Sequence, residues 1–445
     1  MTARRFHITN DPVHGAMQFP MAEWRWIKPF LDSDVVQRLR HIKQLGFTDY
    51  LFPGAVHTRF NHSLGCCYVG NQIAKALGLD DKQRQIVSIA CLLHDIGHGP
   101  FSHAFEETFI DGAISHESWT PLFLRAFLAP DFLSEYAKQN PQHPLNEKDL
   151  ALIGKLICHE PNEESLLADI VSSQLDADRL DYLLRDSHFC GVNYGRYDFR
   201  WLLHCLEIVN VDGQSRLGVN TKGIGAVEQY LMARRLMTHN IYHHPRKHAA
   251  EYYLRAFLRC YAEDLQTDVL SAQMRAMPLG QLLQAVYQFN QSVPTAEAVK
   301  DFREKNFNIY RWLCDYDVQL AIRHAAQDAP ATDAAMLASR LFHRQLPRVF
   351  PIAQSDLEAM KNRVEQVLAD DDTLRPWQLV VLNPALQAYS AQQDPIAIQS
   401  LHDGKVSHLQ DDSIMIGALS DKPEYTAILC VDKEILDKPA VQALV

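Results

Sequence analysis

No stretch of the 445 residues approaches the ~20 consecutive apolar residues that a membrane helix requires; the best run, Ile86 to Leu93, is short and ends in His94-Asp95. No membrane partner is expected. The opening Met1-Thr-Ala-Arg-Arg-Phe-His-Ile8 carries two arginines with no apolar segment behind them, so no secretory signal is expected, and the chain reads as cytoplasmic. Nine cysteines are scattered without a Cys-x-x-Cys pair, which fits neither a disulfide framework nor a structural zinc site. Positive charge is in deficit: 43 Lys+Arg against 54 Asp+Glu leave a net charge of −11. That argues against a general nucleic-acid coat or a polybasic membrane binder, both of which need an excess of Lys and Arg. Internal repeats and low-complexity tracts are absent too.

What is present is the composition of a protein with a sizeable core. Hydrophobic residues make up 47% of the chain, and the length allows two to four domains at ~100–200 residues each. The first half reads as mostly helical. Val35, Leu39, Ile42 and Leu45 recur at helical spacing between Ser33, an N-cap residue, and Gly46. Leu64 to Leu77 forms a second helix stopped by Gly78, and Asp80 or Asp81 caps a third that runs through Leu93 to the Gly97, Gly99, Pro100 cluster. A further helix is expected from about Glu164 to Arg185, a hairpin around Asp212-Gly213, and a long helix from about Gly225 to Leu265. Residues 266–370 read as a helical extension broken at Pro278, Pro294, Pro330 and Pro347. Strand-like runs at 378–382, 413–416 and 425–431 suggest that residues 371–445 form a small mixed α/β subdomain.

Chemistry concentrates in four places: His57 to His62, His94 to His103, Ser115-His116-Glu117, and Asp176 to Asp186. A lone His-Asp pair means little, since short motifs match by chance. Here His94-Asp95 ends an apolar helix, glycines follow at once, and His98 and His103 lie close behind. Burying that many polar groups without partners would cost ~2–7 kcal/mol each. A His from an earlier helix start and an Asp from a later helix would complete a two-His, two-Asp set suited to Fe, Mn, Mg, Co, Ni or Zn, with positions left for water and substrate. On a helix, Asp178, Tyr182 and Arg185 fall at i, i+4 and i+7, placing a ligand, a phenol and a guanidinium on one face, although Asp181 and Arg185 at i, i+4 also fit a solvated salt bridge. Arg234, Arg235, His239, His243, His244, Arg246, Lys247 and His248 gather cationic groups in fifteen residues of an acidic chain. With Arg59, Arg179 and Arg185 they could hold a polyphosphate through forked donors. The residues themselves point to a metal-assisted phosphohydrolase acting on a phosphate-rich small molecule.

The order His62, His94-Asp95, Asp178 resembles the signature of HD-domain metal-dependent phosphohydrolases. Longer strings, Arg38-Leu-Arg-His-Ile-Lys-Gln-Leu-Gly46, His57-Thr-Arg-Phe-Asn-His-Ser-Leu-Gly65, Leu93-His-Asp-Ile-Gly-His-Gly-Pro-Phe-Ser-His103 and Asp176-Ala-Asp-Arg-Leu-Asp-Tyr182, look like the deoxynucleoside triphosphate triphosphohydrolase branch, which includes animal enzymes that join a sterile-alpha-motif domain to an HD domain. The match runs from about Phe6 to Tyr253 and leaves that extra domain out. It implies a mainly α fold, with residues 1–265 as an HD-domain phosphohydrolase core whose motif region is about 57–186. By the resemblance, His62, His94, Asp95 and Asp178 hold the metal. His103, His116 and Glu106 are positioned to protonate the leaving 5′ oxygen, Glu106 standing where the family often has Asp. Arg59, His98, Arg179, Tyr182, Arg185 and Arg234 meet phosphates, Arg179 replacing a Lys of the animal enzymes, while Gln44, Leu45 and Tyr242 pack on the sugar.

Asn10, Asp32, Gln37 and Arg40 resemble the residues with which animal-type enzymes bind an activating guanine nucleotide between subunits, which implies an effector and a homo-oligomer; packing and capping would explain them equally. The implied reaction converts a dNTP and water to a deoxynucleoside and tripolyphosphate. Two alternatives stay open: an HD phosphohydrolase for another nucleotide or phosphoester, and a non-enzymatic nucleotide- or nucleic-acid-binding module.

Overall fold

The computed structural model describes residues 6–267, 270–328, 332–386, 389, 394–419, 424–425 and 427–445. An antiparallel hairpin of β1 (Phe6–Asp11) and β2 (Gly15–Pro20) leads into α1 (Met21–Leu31). The helical core follows: α2 (Arg59–Ala76), α3 (Asp81–Leu93), α4 (His116–Leu124) and α5 (Ala177–Cys190), with α2 packed along both α3 and α5. A hairpin of β3 (Leu206–Val211) and β4 (Gln214–Asn220) then precedes α6 (Ile224–Met237), α7 (Pro245–Asp264) and α8 (Ala296–Tyr310). The fold is mainly α with small sheets, as the sequence implies.

Local chemistry sets the helix ends. Asp80 caps α3 by accepting from the Gln83 N–H at 2.9 Å while the Gln83 side chain returns to the Asp80 N–H, a reciprocal arrangement that satisfies two orphan donors. Beyond the cap, Ile86, Val87, Ile89, Ala90, Leu92 and Leu93 are all buried, so α3 is the central helix rather than a surface one. Helix α2 closes on Gly78, whose φ of +71° lets the Leu79 N–H reach back to the Ala74 carbonyl.

Several predicted elements differ from what forms. The helix expected from Ser33 to Gly46 is one α turn (Asp34–Gln37) and a tighter turn to His41, after which Ile42 is extended. The single helix expected from Glu164 to Arg185 is two, Ser165–Val171 and α5, separated where Asp176 caps the second by accepting from Arg179 N–H. The long helix from Gly225 is interrupted by a wide π turn at Thr238–Tyr242 and restarts at Pro245, which is tolerated at a first helical position. Residues Ile414–Leu419 are helical where a strand was expected, because Ser413 caps them. Pro330 lies outside the described residues.

Toward the C-terminus, β5 (Arg348–Pro351) and β6 (Leu379–Leu382) flank β9 (Ile428–Val431) in an antiparallel sheet. Ile428 and Cys430 pack on Ala249 of α7, while Leu429 and Val431 face Val364 on the other side, the alternation expected of a sheet covered on both faces. The strand β7 (Ala397–Gln399) pairs in parallel with β4 and antiparallel with β8 (Val406–His408), so part of the C-terminal chain completes a sheet begun at Leu206.

Helices α2 and α5 come into tight contact at Gly65. A Cβ there would collide with the Asp181 carboxylate and the Arg185 guanidinium. Gly65→Ala is expected to lower stability by about 1–3 kcal/mol through overpacking, read as a reduced denaturation midpoint; an unchanged midpoint would show that the two helices have room to separate.

Candidate metal centre

The side chains that converge at the centre of the core come from three helix ends. At the start of α2, the Asn61 side chain accepts from the Thr58 backbone N–H and hydroxyl, which fixes the first turn and aims Arg59 and His62 inward. At the end of α3, His94 and Asp95 occupy the turn that leads into Gly97. The first turn of α5 brings Asp178. His62 Nε2 lies 2.9 Å from Asp178 Oδ1, 3.2 Å from His94 Nε2 and 3.9 Å from Asp95 Oδ2; His94 Nε2 lies 3.5 Å from Asp95 and 3.6 Å from Asp178.

His62, Cys66, His94 and Asp178 bring donor atoms close enough together to share one divalent ion, with Asp95 beside them. His62 donates its Nδ1–H to Asp181 at 2.8 Å and His94 donates its Nδ1–H to the Cys91 carbonyl at 2.8 Å, so both Nε2 lone pairs are turned toward each other and toward two carboxylates. An outward-facing N–H tied to a carboxylate or carbonyl is the usual support of a metal-binding imidazole. Ions bound by N and O at ~2.0–2.2 Å place neighbouring ligands about 3 Å apart, close to the spacing found here. Cys66, a turn after His62, brings its sulfur 3.5 Å from His62 Nε2, and burial pushes its thiol well up. Cys66 gives no signal in the sequence beyond its i+4 spacing from His62.

A cavity of about 540 Å³ opens from this centre, lined by Gln44, Leu45, Arg59, His98, Arg179, Tyr182 and Tyr242 among others. These seven are the expected substrate contacts that the fold does assemble. Arg59, almost fully buried, is bound to Asp95 at 2.5 Å and Ser102 Oγ at 2.9 Å. Arg179 is paired with Asp176. Tyr242, carried by the π turn, donates to Asp186, which also accepts from His57 at 2.7 Å. Lys247, His243 and His248 add to the same wall.

Arg185 and Arg234 are not there. Arg185 is wholly buried behind the centre, bound to Asp181 at 2.8 and 2.9 Å and to Asp11 at 2.9 Å; the helical face that was to present it to phosphate turns it inward, away from Tyr182. Arg234 donates to the Gln174 side chain at 2.6 Å, outside the cavity lining. The Asp181–Arg185 pair is accordingly buried and not a solvated surface bridge.

On the other side, Glu106 ties two histidines: His116 donates to it at 2.8 Å and His103 lies 3.4 Å away. Burial alone would raise the Glu106 carboxyl, but the His103 and His116 hydrogen bonds outweigh it and hold it below its ordinary range. His98 stacks on His116 with ring centroids 3.7 Å apart, and burial together with Arg59 keeps it well below the usual imidazole value, hence neutral. The loop that carries these groups is strained: Phe101 and Ser102 have φ of 53° and 52°, and Asp315 braces the loop by accepting from the Phe101 and Lys43 N–H groups. Of the expected effector residues, Gln37 donates to the Leu31 carbonyl and accepts from Arg40, whose guanidinium covers Phe60; Asp32 pairs with Lys28, and Asn10 is exposed on β1.

The family model described as HD domain matches residues 59–186, the span from the arginine that opens α2 to the aspartate beneath Tyr242. The chain carries an HD domain. An uncharacterized protein of Bacillus subtilis is 33% identical over 258 residues, 56% of this chain and 55% of its own length. The deoxynucleoside triphosphate triphosphohydrolase SAMHD1 of Gallus gallus is 33% identical over 273 residues, 55% of this chain and 43% of its own. The chain thus spans about half the length of the curated relatives it matches. Among solved structures, a phosphohydrolase from Bacteroides thetaiotaomicron superposes with a TM-score of 0.74 at 27% identity, covering 96% of this chain and 100% of that one, and a hypothetical protein from Aquifex aeolicus shares the fold with a TM-score of 0.69. The resemblance read from the motifs to HD-type dNTPases therefore extends to sequence similarity over about half of the chain.

In the metal-free protein, burial opposes a charged His62, but its hydrogen bonds to Asp178 and Asp181 outweigh that and push it up to about 10. An entering ion would displace this proton, and that of His94 where, against burial, Asp95 and Asp178 keep it charged. Below that value the apparent metal affinity is expected to rise at least tenfold per pH unit, with proton release on binding. Calorimetry at pH 6 to 8 in buffers of different ionisation heat measures this; pH-independent binding with no proton release would contradict it.

Proposed function

We propose that the protein is a metal-dependent deoxynucleoside triphosphate triphosphohydrolase, converting a dNTP and water into a deoxynucleoside and tripolyphosphate. The observation that carries this reading is the placement of the two-His, two-Asp centre at the foot of a cavity whose walls pair cations with aromatic rings. At about 540 Å³ the cavity falls within the usual range for a small-molecule ligand. His62, His94, Asp95 and Asp178 would hold the ion, which supplies Lewis-acid polarisation of the phosphate and a water acidic enough to attack.

The rest belongs to the protein's own side chains. Arg59, His98, Arg179 and Lys247 line the cavity where a triphosphate chain would lie, the arginines as forked donors and neutral His98 as a hydrogen-bond partner that does not compete for charge. The 5′ oxygen that leaves α-phosphorus must gain a proton, and the His116–Glu106–His103 group is placed to give it, with ionised Glu106 fixing the imidazole orientation. Tyr182 and Tyr242 stand with ring centroids 5.8 Å apart, and Gln44 presents a side-chain oxygen that has no hydrogen-bond partner among the described residues. Together with Leu45 they form the sugar end, where a close fit against a 2′-hydroxyl would select deoxynucleotides. Asn10, Asp32 and Arg40 at the surface, with half-buried Gln37 between them, are the proposed guanine-nucleotide site of a homo-oligomer.

The four dNTPs, supplied singly and in mixtures with Mn, Mg or Fe and resolved by product chromatography, are expected to yield tripolyphosphate and deoxynucleoside. Release of pyrophosphate or orthophosphate alone would sink the reading, and turnover confined to mixtures would reveal the effector. Replacing His94 and Asp95 together by Ala should abolish turnover and metal binding.

Glu106→Gln, in contrast, should keep the metal and lower kcat by roughly 10²–10⁴, the usual worth of a positioned proton donor. An unaltered kcat would remove the Glu106 charge from proton transfer.

A further inference from the structure

The turn of the N-terminal hairpin reaches the back of the metal centre. His14 Nε2 lies 2.6 Å from Asp181 Oδ1, and Asp11 Oδ2 accepts from Arg185 Nη1 at 2.9 Å. Asp181 in turn accepts from Arg185 twice, at 2.8 and 2.9 Å, and from His62 Nδ1 at 2.8 Å. The whole chain of contacts is dry: Asp181 and Arg185 are at 0% exposure, and the His14 side chain at 4%. His14 is itself fixed by the rings of Tyr68 and Phe199 at 5.7 and 6.2 Å. The turn is preorganised as well, since Asp11 Oδ1 accepts from the Val13 and His14 N–H groups, both at 2.9 Å. A residue about fifty positions before the first ligand is therefore two hydrogen bonds from it.

We infer that His14 and Asp11 are positioning residues of the metal centre: through Asp181 and Arg185 they set the orientation of His62. This rests on the metal-centre reading but not on the identity of the substrate. Each Asp181 oxygen takes two donors. Without His14, Oδ1 loses one, and the carboxylate is free to turn toward Arg185 and away from the His62 N–H. Without the Asp11 charge, Arg185 is held by Asp181 alone and draws the carboxylate in the same direction. Either change releases His62 from the one rotation in which Nε2 faces His94 and Asp178. By linkage the reverse holds too, so that an ion which locks His62 also locks the hairpin turn.

The test uses the full chain with Co or Mn and chelator competition. His14→Ala and Asp11→Asn are each expected to weaken metal binding roughly tenfold, the low end for outer-shell partners, while His14→Gln, whose amide can still donate, restores most of the loss. Thermal unfolding without metal separates a folding defect from a positioning one. Hydrogen exchange gives the second measurement: metal should slow exchange of the Val13 and His14 amides in the wild type, and do so less in Asp11→Asn. Affinities within twofold of wild type in both variants, or amides indifferent to metal, overturn the inference. Asp178→Asn, which should lose the metal outright, tests the centre itself, and dNTP turnover plays no part in any of these readouts.

Discussion

One carboxylate with no access to solvent organises the half of this protein that carries the candidate metal centre. Asp181 receives His62, His14 and both arms of Arg185, and the charge of Arg185 is shared with Asp11. A buried ionised carboxylate is costly unless every oxygen is satisfied, and here burial, which would raise its pKa, is outweighed by Arg185, His14 and His62, so that it stays ionised. The requirement reaches into the backbone, because the pair fits only where α2 has no side chain, at Gly65. Hairpin, α2 and α5 are thus joined by electrostatics at one point, and the candidate ligand His62 is one of the four donors at that point.

The opposite wall is built by strain and support instead. Phe101 and Ser102 adopt a left-handed conformation that costs of order 1–3 kcal/mol each and lasts only where surroundings impose it. Asp315 supplies part of that support, Gly97 admits the first turn of α4 beneath the loop, and buried Arg38 grips the His98 carbonyl at 2.6 and 2.9 Å. The result places His98 and His116 in a face-to-face stack, with the Glu106 carboxylate against His116 Nδ1.

The sequence brings His62, His94, Asp95 and Asp178 together as the structure does, and part of that signal is local, since His94 and Asp95 adjoin a helix stop. Tyr182, Tyr242 and Arg59 were also read in the cavity, where they are. Arg185 was not, since helical spacing tells which residues share a face but not which neighbour that face meets, and here the neighbour is a hairpin bearing Asp11. The same limit explains the breaks at residues 172–176 and 238–242. Apolar periodicity runs through both, while an Asp cap and a π turn, neither with a strong sequence mark, divide the helices. Strand pairing between β4 and β7 joins residues some 180 positions apart and leaves no trace in local pattern.

A net charge of −11 and the proposed polyanionic substrate look ill matched until the cavity is considered charge by charge. Arg59 is held by Asp95, Arg179 by Asp176 and Lys247 by Glu251. Paired cations are cheaper to hold in a site with little water than lone ones, but an incoming phosphate must then displace a carboxylate rather than water. Asp95 is the exception, because it would also serve the proposed metal. A carboxylate that serves an ion holds Arg59 less tightly, and the guanidinium so released can turn to phosphate. Metal and polyphosphate would accordingly bind with positive coupling, each lowering the cost of the other. Local pairing of this kind, not the sign of the whole chain, decides what the cavity can hold.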